Sequence, residues 1–533
     1  MILNWLKKPI SASLVLVIVW TIWRLVFLWH TGLPQPAVHD EFCYLLGADT
    51  FAHGRLANPP HLLAGFFESP HELMHPTYAS KYPPGQAMFL ALGQVLFGSP
   101  FYGVLLGNTF MLFTFCLMLF AWVPPRWALA VSAMFGLILS PRMYWTNSYW
   151  GGSVAASGGA LLLLAIGLYR KRQTPLAGAV FSLGVLLLFW TRPYEGGVFT
   201  LVVLIVFARE LWQKRRARVF LTSLSVLAIG CAWTCYDNYA VTGNPLLLPY
   251  LLHQRQYHPA PVLSILPLGP VPVYSNPRLA ALHGINGEEV SQYRYSRRLW
   301  RENPAGAVRE TLQMLDSTVL LAALLALVIP VAWRDPIYRK MVVVFLGCLV
   351  ALGVESIRWE HYAAPLWSGL ALMIAIWAQR AWGLRIRRFP LGAILVLAAL
   401  LRPAIVGFTP VPAMASLAPA SLKWVFADPG AWTSSDSSWA YRDGALTQRL
   451  SLLDRPQLVF VRYPAPDWRL GEEWVYNGAD FDRQRVVFAH DLGEEMDKAL
   501  LDYYPDRAAQ LLTFDPVSGR EQIQPYPWDG RQR

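Results

Sequence analysis

The apolar residues of this chain come in blocks of about 20, the length that carries an α-helix across the ~30 Å hydrocarbon core of a bilayer. A backbone in lipid has to satisfy its polar groups internally, so such blocks fold as membrane helices. Segments near 10–30, 100–121, 127–141, 152–169, 176–191, 196–211, 218–236, 317–333, 340–357, 362–381 and 389–407 fit this description. The expected fold is therefore mainly α, a polytopic membrane protein with about eleven transmembrane helices. A further stretch, Pro84 to Phe97, is short for a span and reads as an interfacial or re-entrant helix. Lys7 and Lys8 precede the first block and no small-residue cleavage site follows it, so it reads as a retained helix.

Charge gives the orientation. Residues 1–408 hold 32 Lys/Arg against 16 Asp/Glu, whereas residues 409–533 hold 13 against 18. With the N-terminus cytoplasmic, Arg126, Arg170 to Arg172, Lys214 to Arg218, Arg334 to Lys340 and Arg380 to Arg388 all fall inside, as the positive-inside rule requires. Net basicity thus reflects membrane topology, and no nucleic-acid partner is expected. The expected localisation is a bacterial inner (plasma) membrane, in contact with membrane lipids. Only 15% of the 533 residues are charged and 55% are apolar or aromatic, which excludes a disordered chain. The expected division is a transmembrane catalytic domain over 1–408 and an extracytoplasmic, periplasmic α/β domain over 409–533. The first outer loop spans 31–99 and the central one 237–316. In the acidic tail, apolar bursts at 457–461, 474–476, 485–489 and 508–514 suggest strands, and 494–503 has a helical pattern. The five cysteines are scattered and suggest no disulfide framework.

The outer loops carry the chemistry. They present Asp40, Glu41 and Lys81, then Arg142, then Arg192 with Glu195, then Arg358, His361 and Tyr362. Ionisable groups beside membrane helices are costly to desolvate and mark substrate sites. Asp40 and Glu41 open a helical pattern that stops at Gly54. Neighbours on a helix point about 100° apart, so they have separate roles, Asp40 as general base and Glu41 as orienter or second acceptor. Pro83 and Pro84 start the next helix and present Lys81 at its N-terminal end, where an anion is favoured. Tyr82, Asn147, Tyr149, Trp150, Tyr194 and Glu195 are candidate sugar or acceptor contacts.

These features resemble polytopic glycosyltransferases of the GT-C superfamily, in the branch that contains protein O-mannosyltransferases and the lipid A aminoarabinose transferase. The matching elements are Asp40-Glu41 after the first helix, Lys81 with Pro83-Pro84 closing the first outer loop, and His361-Tyr362 with Pro365 opening a late helix, over about residues 1–407. Tyr82 is inserted before the prolines, and His361 stands where an arginine is common. The resemblance implies a sugar donor linked to polyprenyl phosphate, a lipid, glycan or protein acceptor, and inverting transfer with Asp40 as base. Lys81, Arg142, Arg192, Arg358, His361 and Tyr362 would then face the donor phosphate. Asp40, Lys81 and Arg358 are expected to converge on one outer cavity. No nucleotide loop of the P-loop or dinucleotide type is present, in keeping with a lipid-borne donor.

Two other classes have a sequence basis. A transporter or flippase of lipid-linked sugars would share the apolar composition, although no inverted repeats or matching broken helices stand out. His71-Glu72-Leu73-Met74-His75 has the spacing of a zinc metalloprotease. Pro70 and Pro76 bracket it closely, however, and such a site needs a sustained helix. No cofactor is required; a divalent metal is compatible with the histidine-rich first loop but not expected.

Overall fold

The computed structural model describes residues 7–141, 143–213, 216–408 and 439–527. Its membrane part begins with α1 (Pro9–Thr31), α2 (His39–Ala52), α3 (Pro84–Phe97), α4 (Phe101–Trp122), α5 (Pro125–Ile138), α6 (Ser153–Lys171), α7 (Pro175–Phe189), α8 (Pro193–Gln213) and α9 (Ala217–Thr242). The central loop folds into four short helices, α10 (Pro249–Tyr257), α11 (Pro277–His283), α12 (Glu288–Glu302) and α13 (Pro304–Leu312). The bundle closes with α14 (Ser317–Val328), α15 (Pro336–Gly353), α16 (Ala364–Ala381) and α17 (Leu391–Phe408).

A helix occupies each of the eleven expected segments, but fewer are long and apolar enough to cross alone. Among the described residues six pass by length and composition, or seven if α13 and α14, bent by 115°, form one span. α5, α7 and α17 are shorter apolar helices, as is α3. The apolar blocks mark where helices form, while prolines trim them: Pro84, Pro125, Pro175 and Pro336 each stand at a first helical position, where the missing N–H costs least. α16 is the most enclosed span, with Trp367 and Trp377 fully buried.

The tail has α18 (Trp439–Ser451), α19 (Glu494–Tyr503) and a four-stranded sheet. Its strands are β3 (Gln457–Arg462), β4 (Val486–His490), β5 (Ala508–Phe514) and β6 (Glu521–Pro525), in the order β4-β3-β5-β6. β3 runs parallel to β4 and β5, and β6 is antiparallel to β5. Two expectations change. The burst at 474–476 buries Trp474 and Val475 without forming a strand, and polar β6, which has no apolar signature, is one. Residues 409–438, where the domain boundary was expected, lie outside the described residues.

The sheet region sits on α2. Tyr476 stacks on Phe42 with ring centroids 4.2 Å apart, the Ala479 N–H donates to Asp49 at 2.8 Å, and the Tyr78 hydroxyl donates to the Asn477 carbonyl at 2.8 Å. Arg278 of the central loop reaches Glu473 at 3.1 Å. The helix that carries Asp40 is thereby held between the membrane bundle and the tail.

Candidate active site

A two-stranded hairpin sets the first half of the site. β1 (Glu72–Leu73) pairs antiparallel with β2 (Ala79–Ser80), Glu72 opposite Ser80. One step beyond that register, the Lys81 N–H reaches the His71 carbonyl at 3.4 Å, and the Lys81 ammonium lies 2.7 Å from His71 Nδ1. Pro83 and Pro84 then turn the chain into α3, and the Gly85 N–H donates to the Trp190 carbonyl at 2.6 Å. A Cβ on Gly85 would stand 2.7 Å from that oxygen, so the close approach needs glycine. This contact draws the 190–192 turn toward the Lys81 segment.

Asp40 lies in the first turn of α2. The Tyr82 hydroxyl donates to its Oδ1, and His71 Nε2 lies 3.7 Å from its Oδ2. Lys81 sits over the rings of Tyr82 and Tyr250 at 5.2 and 5.3 Å. Arg192 packs on the ring of Tyr362 at 4.3 Å and pairs with Glu195 at 3.6 Å. Cations over aromatic faces keep an attractive partner while their N–H groups remain available to an anion.

Two adjoining cavities meet here, of ≈ 380 and ≈ 220 Å³, and both are lined by Asp40, Lys81, Tyr82, Tyr250, Glu355 and Tyr362. The larger runs from Lys81 and Arg192 past Trp190, Leu251 and Leu266 to α9 and is mostly apolar. The smaller is the more polar of the two, with His39, His253, His258, Glu288 and Glu289 in its lining beside Leu470 and Gly471 of the tail.

Burial shapes the titration of these groups. It raises the Asp40 carboxyl above its ordinary range, against the opposing pull of Lys81, the Tyr82 hydroxyl and Arg192. It lowers the Lys81 ammonium, which Glu289 and Asp40 partly offset. Burial and the nearby Lys81 charge hold His71 well below its usual value, leaving a neutral imidazole between acid and amine. A carboxyl shifted upward beside an ammonium shifted downward is an arrangement suited to proton transfer.

Of the sequence candidates, Asp40, Lys81, Tyr82, Arg192, Tyr194, Glu195 and Tyr362 line these cavities. Arg358 does not: it binds Glu310 at 3.3 Å, the Ser296 hydroxyl at 2.9 Å and the Gly353 carbonyl at 3.0 Å, bracing the central loop. The expected convergence of Asp40, Lys81 and Arg358 is corrected to Asp40, Lys81 and Arg192. Arg142 lies outside the described residues.

Glu41 is turned inward. Its carboxylate accepts from the N–H groups of Ala37 at 2.6 Å, Val38 at 3.2 Å and Tyr149 at 2.9 Å, and burial raises it to about 7 against those bonds. This geometry fits the orienter role and leaves no open face for an acceptor. Asn147 holds buried Arg24 of α1 and the Pro141 carbonyl, and the Tyr149 hydroxyl donates to Pro34 at 2.9 Å. Trp150 is buried against His361, whose Nδ1 meets the Tyr144 hydroxyl at 2.8 Å. None of Asn147, Tyr149, Trp150 and His361 lines either cavity.

The metalloprotease spacing dissolves in three dimensions. Residues 72–73 are strand, His75 is exposed, and Glu72 turns to Ser69, because successive strand residues face opposite ways. His71 instead meets central-loop residues. Tyr250, His253, Glu289 and Glu355 are cavity residues that the sequence reading did not single out; the density of His and acidic residues in the central loop was a signal for His253 and Glu289, while Tyr250 and Glu355 carried none.

No protein-family description and no curated protein matches the chain. Among solved structures, it is similar to ArnT from Cupriavidus metallidurans bound to undecaprenyl phosphate, at 12% identity and a TM-score of 0.48, covering 93% of each chain. It is also similar to the Archaeoglobus fulgidus oligosaccharyltransferase in its apo form, at 10% identity and a TM-score of 0.46, covering 98% of this chain and 75% of that one. A third likeness is to the archaeal oligosaccharyltransferase AglB from the same organism, in complex with an inhibitory peptide and a dolichol-phosphate, at 10% identity and a TM-score of 0.42, covering 97% and 74%.

Proposed function

We propose that the protein transfers a sugar from a polyprenyl-phosphate donor to an acceptor hydroxyl at the outer face of a membrane, with inversion, using Asp40 as general base. The observation that carries this reading is that Asp40 lines both a mostly apolar cavity, whose wall includes Lys81 and Arg192, and a more polar one that adjoins it. The apolar arm suits an isoprenoid chain, and Lys81 and Arg192 suit its phosphate. The polar arm suits sugar and acceptor.

In the proposed step Asp40 takes the proton of the acceptor hydroxyl as its oxygen bonds to the anomeric carbon. The bond from that carbon to the phosphate oxygen breaks, and its electron pair leaves with the phosphate. Charge builds on the phosphate as the step proceeds, so cations aimed there stabilise the transition state more than the ground state. Tyr82 and His71 hold Asp40 from two sides, and Glu41 fixes the turn before it. The domain division at residue 408 and an extracytoplasmic tail belong to the same proposal; the tail's role is to close the polar arm through Leu470 and Gly471.

The test is to supply the purified full-length protein in proteoliposomes with polyprenyl-phosphate sugars and hydroxyl acceptors. Product with inverted anomeric configuration is expected. Movement of intact lipid-linked sugar across the bilayer without bond cleavage would instead establish the flippase reading, and retained configuration would remove Asp40 from its role as base.

A further inference from the structure

His71, His258, His283 and Glu289 bring four ligand atoms, three imidazole nitrogens and a carboxylate oxygen, within 4.8 Å of one another. His71 comes from the first loop. The other three come from the central loop: His258 follows α10, His283 ends α11 and Glu289 lies in the first turn of α12. Glu289 Oε2 stands 2.6 Å from His258 Nδ1 and 2.9 Å from His283 Nδ1, so one carboxylate oxygen serves two imidazoles. The far nitrogen of His258 is held by His253 Nδ1 at 3.1 Å, the kind of outer support that fixes a ligand ring. His283 is fully enclosed, and its Nε2 has no hydrogen-bond partner.

From this geometry we propose that His71, His258, His283 and Glu289 bind one divalent transition-metal ion of the zinc type, which ties the central loop to the first loop beside Asp40 and Lys81. Three imidazoles and one carboxylate form a borderline-soft, four-coordinate donor set. Metal–ligand bonds of about 2.0–2.1 Å in a tetrahedron place ligand atoms roughly 3.3 Å apart. The present cluster needs only a spreading of its two shortest contacts and a contraction of its longest. The site does not use the His71-Glu72-His75 spacing, since His75 is exposed and absent from the cluster.

Metal binding is independent of the transfer reading; its effect on turnover rests on that reading. His71 stands between Lys81, 2.7 Å from its Nδ1, and Asp40, 3.7 Å from its Nε2, so the nitrogen that binds the ion gives up its present neighbour and metal occupancy resets the spacing of acid and amine. The role assigned to the ion is positioning, with no step of the reaction passing through it.

The test is metal analysis of the full-length protein purified in detergent, first with Zn²⁺ and then with Co²⁺ as a spectroscopic probe. One Zn²⁺ per chain is expected, and intense visible Co²⁺ bands of tetrahedral type. Glu289→Gln and His283→Ala should weaken binding by about 10–100-fold or more, while His75→Ala leaves it unchanged. No stoichiometric uptake by the wild-type protein, or a weak octahedral Co²⁺ spectrum, overturns the proposal. Equal loss in His75→Ala and His283→Ala overturns it as well. The Co²⁺ spectrum of the wild-type chain decides the matter even if a variant fails to fold.

Discussion

The Asp40–Lys81 loop and the Tyr144–Trp150 segment belong to the same end of the bundle, and both are crowded with aromatic and polar side chains. They end in opposite states. In the first loop the charged heads of Asp40 and Lys81 border open cavities. In the second, Asn147 is spent on Arg24 and Pro141, the Tyr149 hydroxyl on Pro34, and Trp150 on a buried contact with His361. Residue type alone therefore does not mark a site here. What separates the two is whether a charged head borders open space, and Glu41, one residue from Asp40, is turned inward with the second group.

Substitutions can break that comparison. The largest effect among cations and aromatics is expected for Lys81→Met and Arg192→Met: each should lower kcat by about 10²–10³-fold, as loss of a charge-stabilising donor does. Turnover by the purified variants checks this, and a full rate in either would move the phosphate elsewhere. Glu41→Gln should be intermediate, costing roughly 1–3 kcal/mol of stability through its buried backbone partners and slowing turnover by only a few-fold; thermal unfolding alongside kinetics separates the two effects. Arg358→Met and Tyr149→Phe should leave kcat nearly unchanged while lowering the melting temperature. A selective loss of kcat in either would place the second segment in the site after all.

The pH profile sharpens the same contrast. Asp40 acts as its carboxylate, and its pKa is raised, so kcat/KM should fall as pH drops through a midpoint above the ordinary ~3.9 of aspartate. Lys81 acts as its ammonium and its pKa is lowered, so activity should fall on the alkaline side below the usual ~10.4. The expected result is a bell, and an acid limb at or below the ordinary aspartate value would contradict the buried base.

The helices were legible because long apolar blocks leave few alternatives, and α2 and α3 were legible from an acidic first turn and a proline pair. The composition of the site was only half legible. Arg192 joins Lys81 through the Gly85–Trp190 contact, which spans about a hundred residues and leaves no local signature. Arg358 looked equivalent to it until Glu310 and Ser296, from elsewhere in the chain, proved to hold it. The histidine cluster escaped for the same reason. His71 is four residues from His75 in sequence, but the two-residue strand between them carries His75 out to an exposed turn, and the partners of buried His71 arrive from the central loop. β6 stayed hidden because a polar edge strand carries no apolar alternation.

The central claim is that Asp40 performs the proton transfer, and the most direct measurement is single-turnover sugar transfer by Asp40→Asn beside the wild type, with donor binding followed in parallel. The amide keeps the shape and the bond to Tyr82 but cannot take the proton, so donor affinity should persist while the rate falls by about 10²–10⁴-fold. Transfer at the wild-type rate with the donor bound as before would contradict it.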